Sequence, residues 1–185
     1  RLFVLKGLEV MNRKHNHGLN ALIEKSAIKS KVSSYDLGFK LGPRINAAGR
    51  LGNSSYGTDL LTSNDELLAK ELASKLDHFN QERKTIESYV LEKADQQVTD
   101  DKLNKNIIIV AGEDWHEGVI GIIASRLKDK YGKPCIVISI NGNQAKGSGR
   151  SIKGIDLGSL VIAAKQSNII ENGGGHSMAA GLSLM

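Results

Sequence analysis

Ile107-Ile108-Ile109-Val110-Ala111-Gly112-Glu113-Asp114-Trp115-His116-Glu117-Gly118-Val119-Ile120-Gly121-Ile122-Ile123-Ala124-Ser125-Arg126-Leu127 passes from an unbroken apolar run into a segment of helical periodicity. The apolar run, ending at Gly112, predicts a buried strand. The apolar steps across Glu117–Tyr131 predict a helix. A second apolar run, Pro134-Cys135-Ile136-Val137-Ile138-Ser139-Ile140, follows. Asn141-Gly142-Asn143 then predicts a tight turn into Gln144–Ser151, and so a hairpin. A helix over about 156–166, N-capped by Asp156, precedes Gly173-Gly174-Gly175 and a last strand near Ala179–Leu184. This alternation predicts a mixed β-sheet flanked by helices.

Upstream the texture changes. Apolar residues at Leu68, Leu72, Leu76, Phe79, Ile86, Val90, Ala94 and Val98 are mostly three or four apart, and no Gly or Pro falls between Asn64 and Gly112. One helix over 64–98 would run roughly 50 Å at 1.5 Å per residue. That length suits a strut between lobes better than a coiled-coil arm. Residues 1–63 alternate short helical patterns, near 2–13, 18–27, 33–40 and 55–62, with Gly- and Ser-bearing turns. Residues 41–52 are rich enough in Gly and Pro to predict an interruption. The expected class is therefore α/β: a helical N-terminal part over 1–63, a long connecting helix over 64–98, and a mixed-sheet domain over 99–185.

With 40% hydrophobic and 24% charged residues, the chain has the composition of a globular protein rather than a disordered one. Its apolar runs fall far short of the ~18 residues that a bilayer span needs. No signal peptide is visible, and the lone Cys135 can form no internal disulfide, so it reads as a core thiol. A cytoplasmic setting is the expectation. The chain opens without an initiator methionine, inside an apolar-periodic segment, and closes in a strand-like run, which suggests part of a longer protein. A net charge of +5 favours polyanionic partners.

Three segments could carry chemistry. In Lys146-Gly147-Ser148-Gly149-Arg150-Ser151, alternate glycines would let backbone N–H groups approach a ligand oxygen. Ser148 and Arg150, two apart on a strand, share a face and suit a terminal phosphate. The alternative is a bulged edge strand with a solvated arginine. Gly173-Gly174-Gly175-His176 could form an anion-binding nest of backbone donors. His176 would then face the anion, or it is an ordinary hydrogen-bonded histidine. In Gly42-Pro43-Arg44-Ile45-Asn46-Ala47-Ala48-Gly49-Arg50-Leu51, two arginines and an asparagine could bind phosphate, or the arginines could pair with local carboxylates. Trp115-His116-Glu117-Gly118 reads as a structural turn, because Ile120 breaks any HExxH pattern. Asp36, Asp59, Asp77 and Asp114 are scattered, and no metal centre can be assembled.

GPRINAAGRL at 42–51, WHEGVIGIIASRL at 115–127, KGSGRS at 146–151 and GGGHSMAAGLSL at 173–184 together resemble, in this order, the RecJ exonucleases of the DHH phosphoesterase superfamily. The resemblance covers nearly the whole chain. It implies the substrate-binding half, with the DHH-associated domain, of a 5′→3′ single-stranded-DNA exonuclease. Such an enzyme would release 5′-mononucleotides by two-metal hydrolysis in DNA repair and recombination. Its Mn²⁺ or Mg²⁺ would be bound by a DHH lobe whose motif is not in this sequence, leaving this stretch inactive alone. Residue by residue, Ser148, Gly149 and Arg150 match a 5′-phosphate pocket. Arg44, Asn46 and Arg50 match a cleft wall. Gly174, Gly175 and His176 match a loop reaching the scissile phosphate, which gives His176 a catalytic role. Single-stranded DNA is the implied partner, joined by single-strand-binding protein and a helicase. A phosphodiesterase of short oligoribonucleotides or cyclic dinucleotides fits GGGH equally but not the 42–51 segment. A free nucleic-acid-binding module, like the related domain of alanyl-tRNA synthetases, fits that segment no better.

Overall fold

The computed structural model describes residues 2–52 and 54–185. Two compact units divide at Lys84/Thr85, within the long helix rather than at either of its ends.

The first unit holds α1 (Leu2–Met11), α2 (His17–Lys25), a single turn α3 (Ser34–Asp36), α4 (Gly42–Arg50) and α5 (Ser55–Thr62). It also holds the first part of α6 (Glu66–Gln96). The Gly/Pro-rich segment is helical after all. Pro43 lies in the first turn of α4, where its missing N–H costs nothing. The entry into α4 is a π-helical turn over Leu37–Leu41. That wide turn brings the Leu37 carbonyl under residue 42, where a Cβ would lie 2.8 Å from it, so glycine is required. Gly18 serves a similar purpose between helices: a Cβ there would meet the Leu60 carbonyl of α5 at 1.9 Å. Leu22, Leu41, Ala48, Leu60, Leu72 and Leu76 form the core of this unit. Asp36 is the N3 partner of a capping box with Ser33. Its carboxyl is pulled down to about 2, first by Lys40 and then by Ser33.

In the second unit, the later part of α6 and a single turn α7 (Asp100–Leu103) precede β1 (Ile108–Glu113), α8 (Glu117–Tyr131), β2 (Cys135–Asn141) and β3 (Gln144–Arg150). α9 (Leu157–Gln166), β4 (Asn172–His176) and β5 (Ala179–Leu184) complete it. The five strands run in the order β1-β2-β3-β5-β4. β1 and β2 are parallel, joined by α8, and every other pair is antiparallel. Between β2 and β3 the chain reverses through Gly142 (φ +58°), the first of two loop residues, in the glycine-first pattern of a type II′ turn. Gln97 protects the outer edge of β1: its side-chain amide donates to the Ala111 carbonyl at 2.6 Å and accepts from the Ala111 N–H at 3.2 Å. An edge strand is blunted this way without another strand.

The sheet is covered on both faces, unequally. Ile108, Val110, Cys135 and Val137 point to α8 and pack with Val119, Ile123 and Leu127, along with Val90 and Ala94 of α6. Ile136, Ala180 and Leu182 point the other way, to Leu157 and Val161 of α9. Cys135 is fully buried, and desolvation pushes its thiol up to about 11, in keeping with a core role. Asp156 caps α9 by accepting from the Ser159 N–H at 3.1 Å, and that hydrogen bond holds its carboxyl below the ordinary carboxylate value. Among the described residues no helix is long and apolar enough to cross a membrane.

Candidate nucleic-acid interface

The Gly-rich segments meet through the register of three strands. Arg150 of β3 pairs with Ala179 of β5, which pairs with His176 of β4. One step along, Ser148 pairs with Gly181, which pairs with Gly174. Directly paired residues project to one face, so these six form two adjacent cross-strand rows. Arg150 and His176 stand two strands apart, about 10 Å at ordinary strand spacing. This is the α8 face, but α8 lies over β2 and β3. A Cβ at Gly174 would meet nothing within 4 Å, and one at Gly181 only the Gly147 carbonyl at 3.9 Å. The result is a shallow trough with a floor of Gly174, Gly181 and Ala179. Ser148 and Arg150 stand on one side and exposed His176 on the other.

The electrostatics of the trough turn on Arg150. It is half-buried, and its Nη1 donates to the Ser148 hydroxyl at 3.1 Å and to the Gly149 carbonyl at 2.8 Å. Among the described residues no carboxylate pairs with it. Several other cations are neutralised: Lys146 by Glu117 at 2.8 Å, Lys130 by Asp95 at 2.7 Å, and Arg126 by the buried Glu87. A half-buried guanidinium with no counter-charge, beside a hydroxyl and a surface without side chains, is a receptor for a phosphate.

Two expectations about the glycines need correction. Gly173, Gly174 and Gly175 are not a nest of positive φ. They are ordinary residues of edge strand β4, and the described glycines with positive φ are Gly52, Gly132, Gly142 and Gly154. Nor does the backbone at 147 and 149 approach a ligand. β3 lies inside the sheet, paired on both sides, and both glycines point toward α9. A Cβ at Gly147 would meet Leu182 at 2.7 Å, and one at Gly149 would meet Leu157 at 2.6 Å. Gly175 also points away from the trough, where a Cβ would meet the Ala179 carbonyl at 2.3 Å. Ser148, Arg150, Gly174 and His176 are thus brought together, while Gly149 and Gly175 lie behind them.

Arg44, Asn46 and Arg50 belong to the first unit. Arg44 is largely buried; its Nε donates to Asp77 at 2.8 Å and its Nη1 to the Lys40 carbonyl at 2.8 Å. This is the local carboxylate pairing that the sequence left open. Asn46 and Arg50, four apart on α4, are both exposed. His116 caps α8 by accepting from the Gly118 N–H at 3.1 Å, and buried Trp115 lies over Gly112, as suits a structural turn.

Residues 104–185 match the DHHA1 domain family. Over its full length the chain is 37% identical to the single-stranded-DNA-specific exonuclease RecJ of Bacillus subtilis, of which it covers 24%. It is 39% identical to that of Haemophilus influenzae, of which it covers 34%. The crystal structure of Thermus thermophilus RecJ in complex with Mn²⁺ aligns with 98% of the chain at a TM-score of 0.85 and 29% identity. The chain belongs to the RecJ family.

It spans a quarter to a third of the length of these RecJ relatives and 26% of the Thermus chain. A second Thermus RecJ structure is described in complex with Mg²⁺, so the family uses divalent metal. Among the described residues of this chain no three His, Cys, Asp or Glu side chains gather as a metal ion would require. These residues do not fit that group. Sequence reasoning missed Gly181 and Ala179, two of the three residues of the trough floor. Their alternation with Ala180 and Leu182 was the available signal, but it needs the β4–β5 register to become a surface.

Proposed function

We propose that the β3-β5-β4 trough holds the 5′ end of a single nucleic-acid strand for a RecJ-type exonuclease. The observation that supports this most is the uncompensated Arg150 beside Ser148, in one row with His176 above a floor without side chains. In this reading Arg150 and Ser148 donate to a 5′-terminal phosphate. Gly174 and Gly181 let the sugar-phosphate backbone lie against the sheet. His176, one row from Ser148 and across the trough, donates to a non-bridging oxygen of the scissile phosphate. Asn46 and Arg50, exposed on α4 of the first unit, offer phosphate contacts of their own, whereas Arg44 serves the fold through Asp77. A terminal phosphate held at one end also explains a 5′→3′ direction, because a chain end must enter first.

The hydrolytic metal centre belongs to another part of the RecJ-type protein, and this chain alone cleaves nothing. The whole protein would act on single-stranded DNA in repair and recombination, in the cytoplasm, alongside single-strand-binding protein and a helicase. The test is fluorescence anisotropy with a labelled oligothymidylate carrying either a 5′-phosphate or a 5′-hydroxyl. The phosphorylated strand is expected to bind about tenfold more tightly, the worth of one charge-assisted contact. Arg150→Ala should erase the difference. Equal affinity of wild type for both strands would refute the pocket. Release of nucleotides by this chain supplied with Mn²⁺ would refute the division of labour.

A further inference from the structure

The phosphate reading leaves one question open: what aims the Arg150 guanidinium across the trough. We infer that Gly121, in the second turn of α8, is a positioning residue for Arg150 and Ser148, an inference that rests on that reading. A glycine weakens a helix interior relative to alanine, so its presence there needs a reason. Backbone conformation supplies none, because Gly121 is not among the positive-φ glycines. Crowding by the main chain supplies none either. The three atoms nearest to a Cβ at this position all belong to the trough: Arg150 Nη2 at 3.0 Å, Ser148 Oγ at 3.0 Å and Arg150 Cζ at 3.6 Å. The missing side chain thus leaves the space beside α8 that the guanidinium occupies.

That space has a consequence for specificity. The Arg150 Nη1 is already spent on the Ser148 hydroxyl and the Gly149 carbonyl, so Nη2 and Nε are left for an incoming anion. A methyl group at 121 would press on Nη2 and on the Ser148 oxygen together. The guanidinium must give way by a few tenths of an ångström, which disturbs the alignment on which two-pronged phosphate recognition depends. The strand backbone elsewhere on the floor is untouched. Gly121 therefore governs recognition of the terminal phosphate rather than binding in general.

The experiment is a double-mutant cycle on this chain, with 5′-phosphorylated and 5′-hydroxyl oligothymidylate as probes. Gly121→Ala should keep the thermal midpoint at or above that of wild type and leave affinity for the 5′-hydroxyl strand unchanged. Its preference for the phosphorylated strand should fall about tenfold, to parity. In an Arg150→Ala background the same substitution should change neither affinity. Retention of the wild-type preference by Gly121→Ala overturns the inference while leaving the phosphate pocket intact. Absence of any preference in wild type overturns both. Should Gly121→Ala fail to fold, restoration of folding in Gly121→Ala/Arg150→Ala supports the clash with Arg150, and failure to restore it overturns the inference.

Discussion

Three consecutive glycines on β4 should respond in opposite ways to the same substitution. At Gly174 a Cβ points into open space above the trough, with no atom within 4 Å. Its φ lies outside the left-handed region, so alanine fits the native backbone and restricts the unfolded chain. Gly174→Ala should raise stability by about 0.4–1 kcal/mol. At Gly173 the Cβ would lie 2.6 Å from Val161 and 2.9 Å from Ile170, and at Gly175 2.3 Å from the Ala179 carbonyl. Overpacking of this kind costs about 1–3 kcal/mol, and Gly175 should lie near the top because its obstacle is backbone. Thermal unfolding by circular dichroism is the assay. A unit of this size shifts by about 4–8 °C per kcal/mol. Gly173→Ala and Gly175→Ala should therefore melt well below wild type, and Gly174→Ala at or slightly above it. The functional order is reversed. Gly174→Ala, the stable variant, should lose affinity for single-stranded DNA, because its methyl group stands where the strand must lie. A Gly174→Ala protein as unstable as its neighbours, or one that binds DNA normally, would refute the assignment of faces.

Arg44→Ala should destabilise the first unit by about 2–4 kcal/mol, seen as a lower urea midpoint, because among the described residues it leaves the largely buried Asp77 carboxylate with Gln81 alone as a side-chain donor. Its effect on DNA affinity should be small beside that of Arg50→Ala. Asp36 binds its proton more weakly in the folded chain (about 2) than in the unfolded one (3.8). Its ionised carboxylate therefore stabilises the fold fully above about pH 4, and that contribution is lost as pH falls toward 2. Asp36→Asn should flatten the acid limb of stability between pH 4 and 2 and lower stability at neutral pH, both measurable by chemical denaturation across that range.

The sheet was largely legible from sequence, and for a definite reason. β1 and β2 are β-branched runs that only a buried strand accommodates, and Asn141-Gly142 announces the reversal between β2 and β3. α6 was equally plain, since 31 residues without Gly or Pro keep apolar steps of three and four. β4 was not legible. A strand is recognised by what its side chains alternate between, and Asn172-Gly173-Gly174-Gly175-His176 has almost none. Its glycines answer to neighbours far along the chain, Val161 for Gly173 and Ala180 for Gly175. α4 was misread as an interruption because Pro43 and Gly42 count as breakers, although both stand at the helix entrance, where they are harmless. The site residues divide along the same line. Ser148 and Arg150 were recognisable as a pair because a spacing of two on a strand fixes a common face. That Arg44 is committed to Asp77, 33 residues away, while Arg150 faces no carboxylate, is a tertiary fact that local composition does not carry.

The central claim is that a single strand lies on the α8 face of β3, β5 and β4. Nuclear magnetic resonance of the ¹⁵N-labelled chain, titrated with a short 5′-phosphorylated oligothymidylate, addresses it most directly. The largest shift changes should fall on Ser148, Arg150, Gly174, His176, Ala179 and Gly181, with Leu160, Ile162 and Ile169 on the opposite side unmoved. Changes centred on those α9-side residues, or no change along the trough at saturating DNA, would contradict the account.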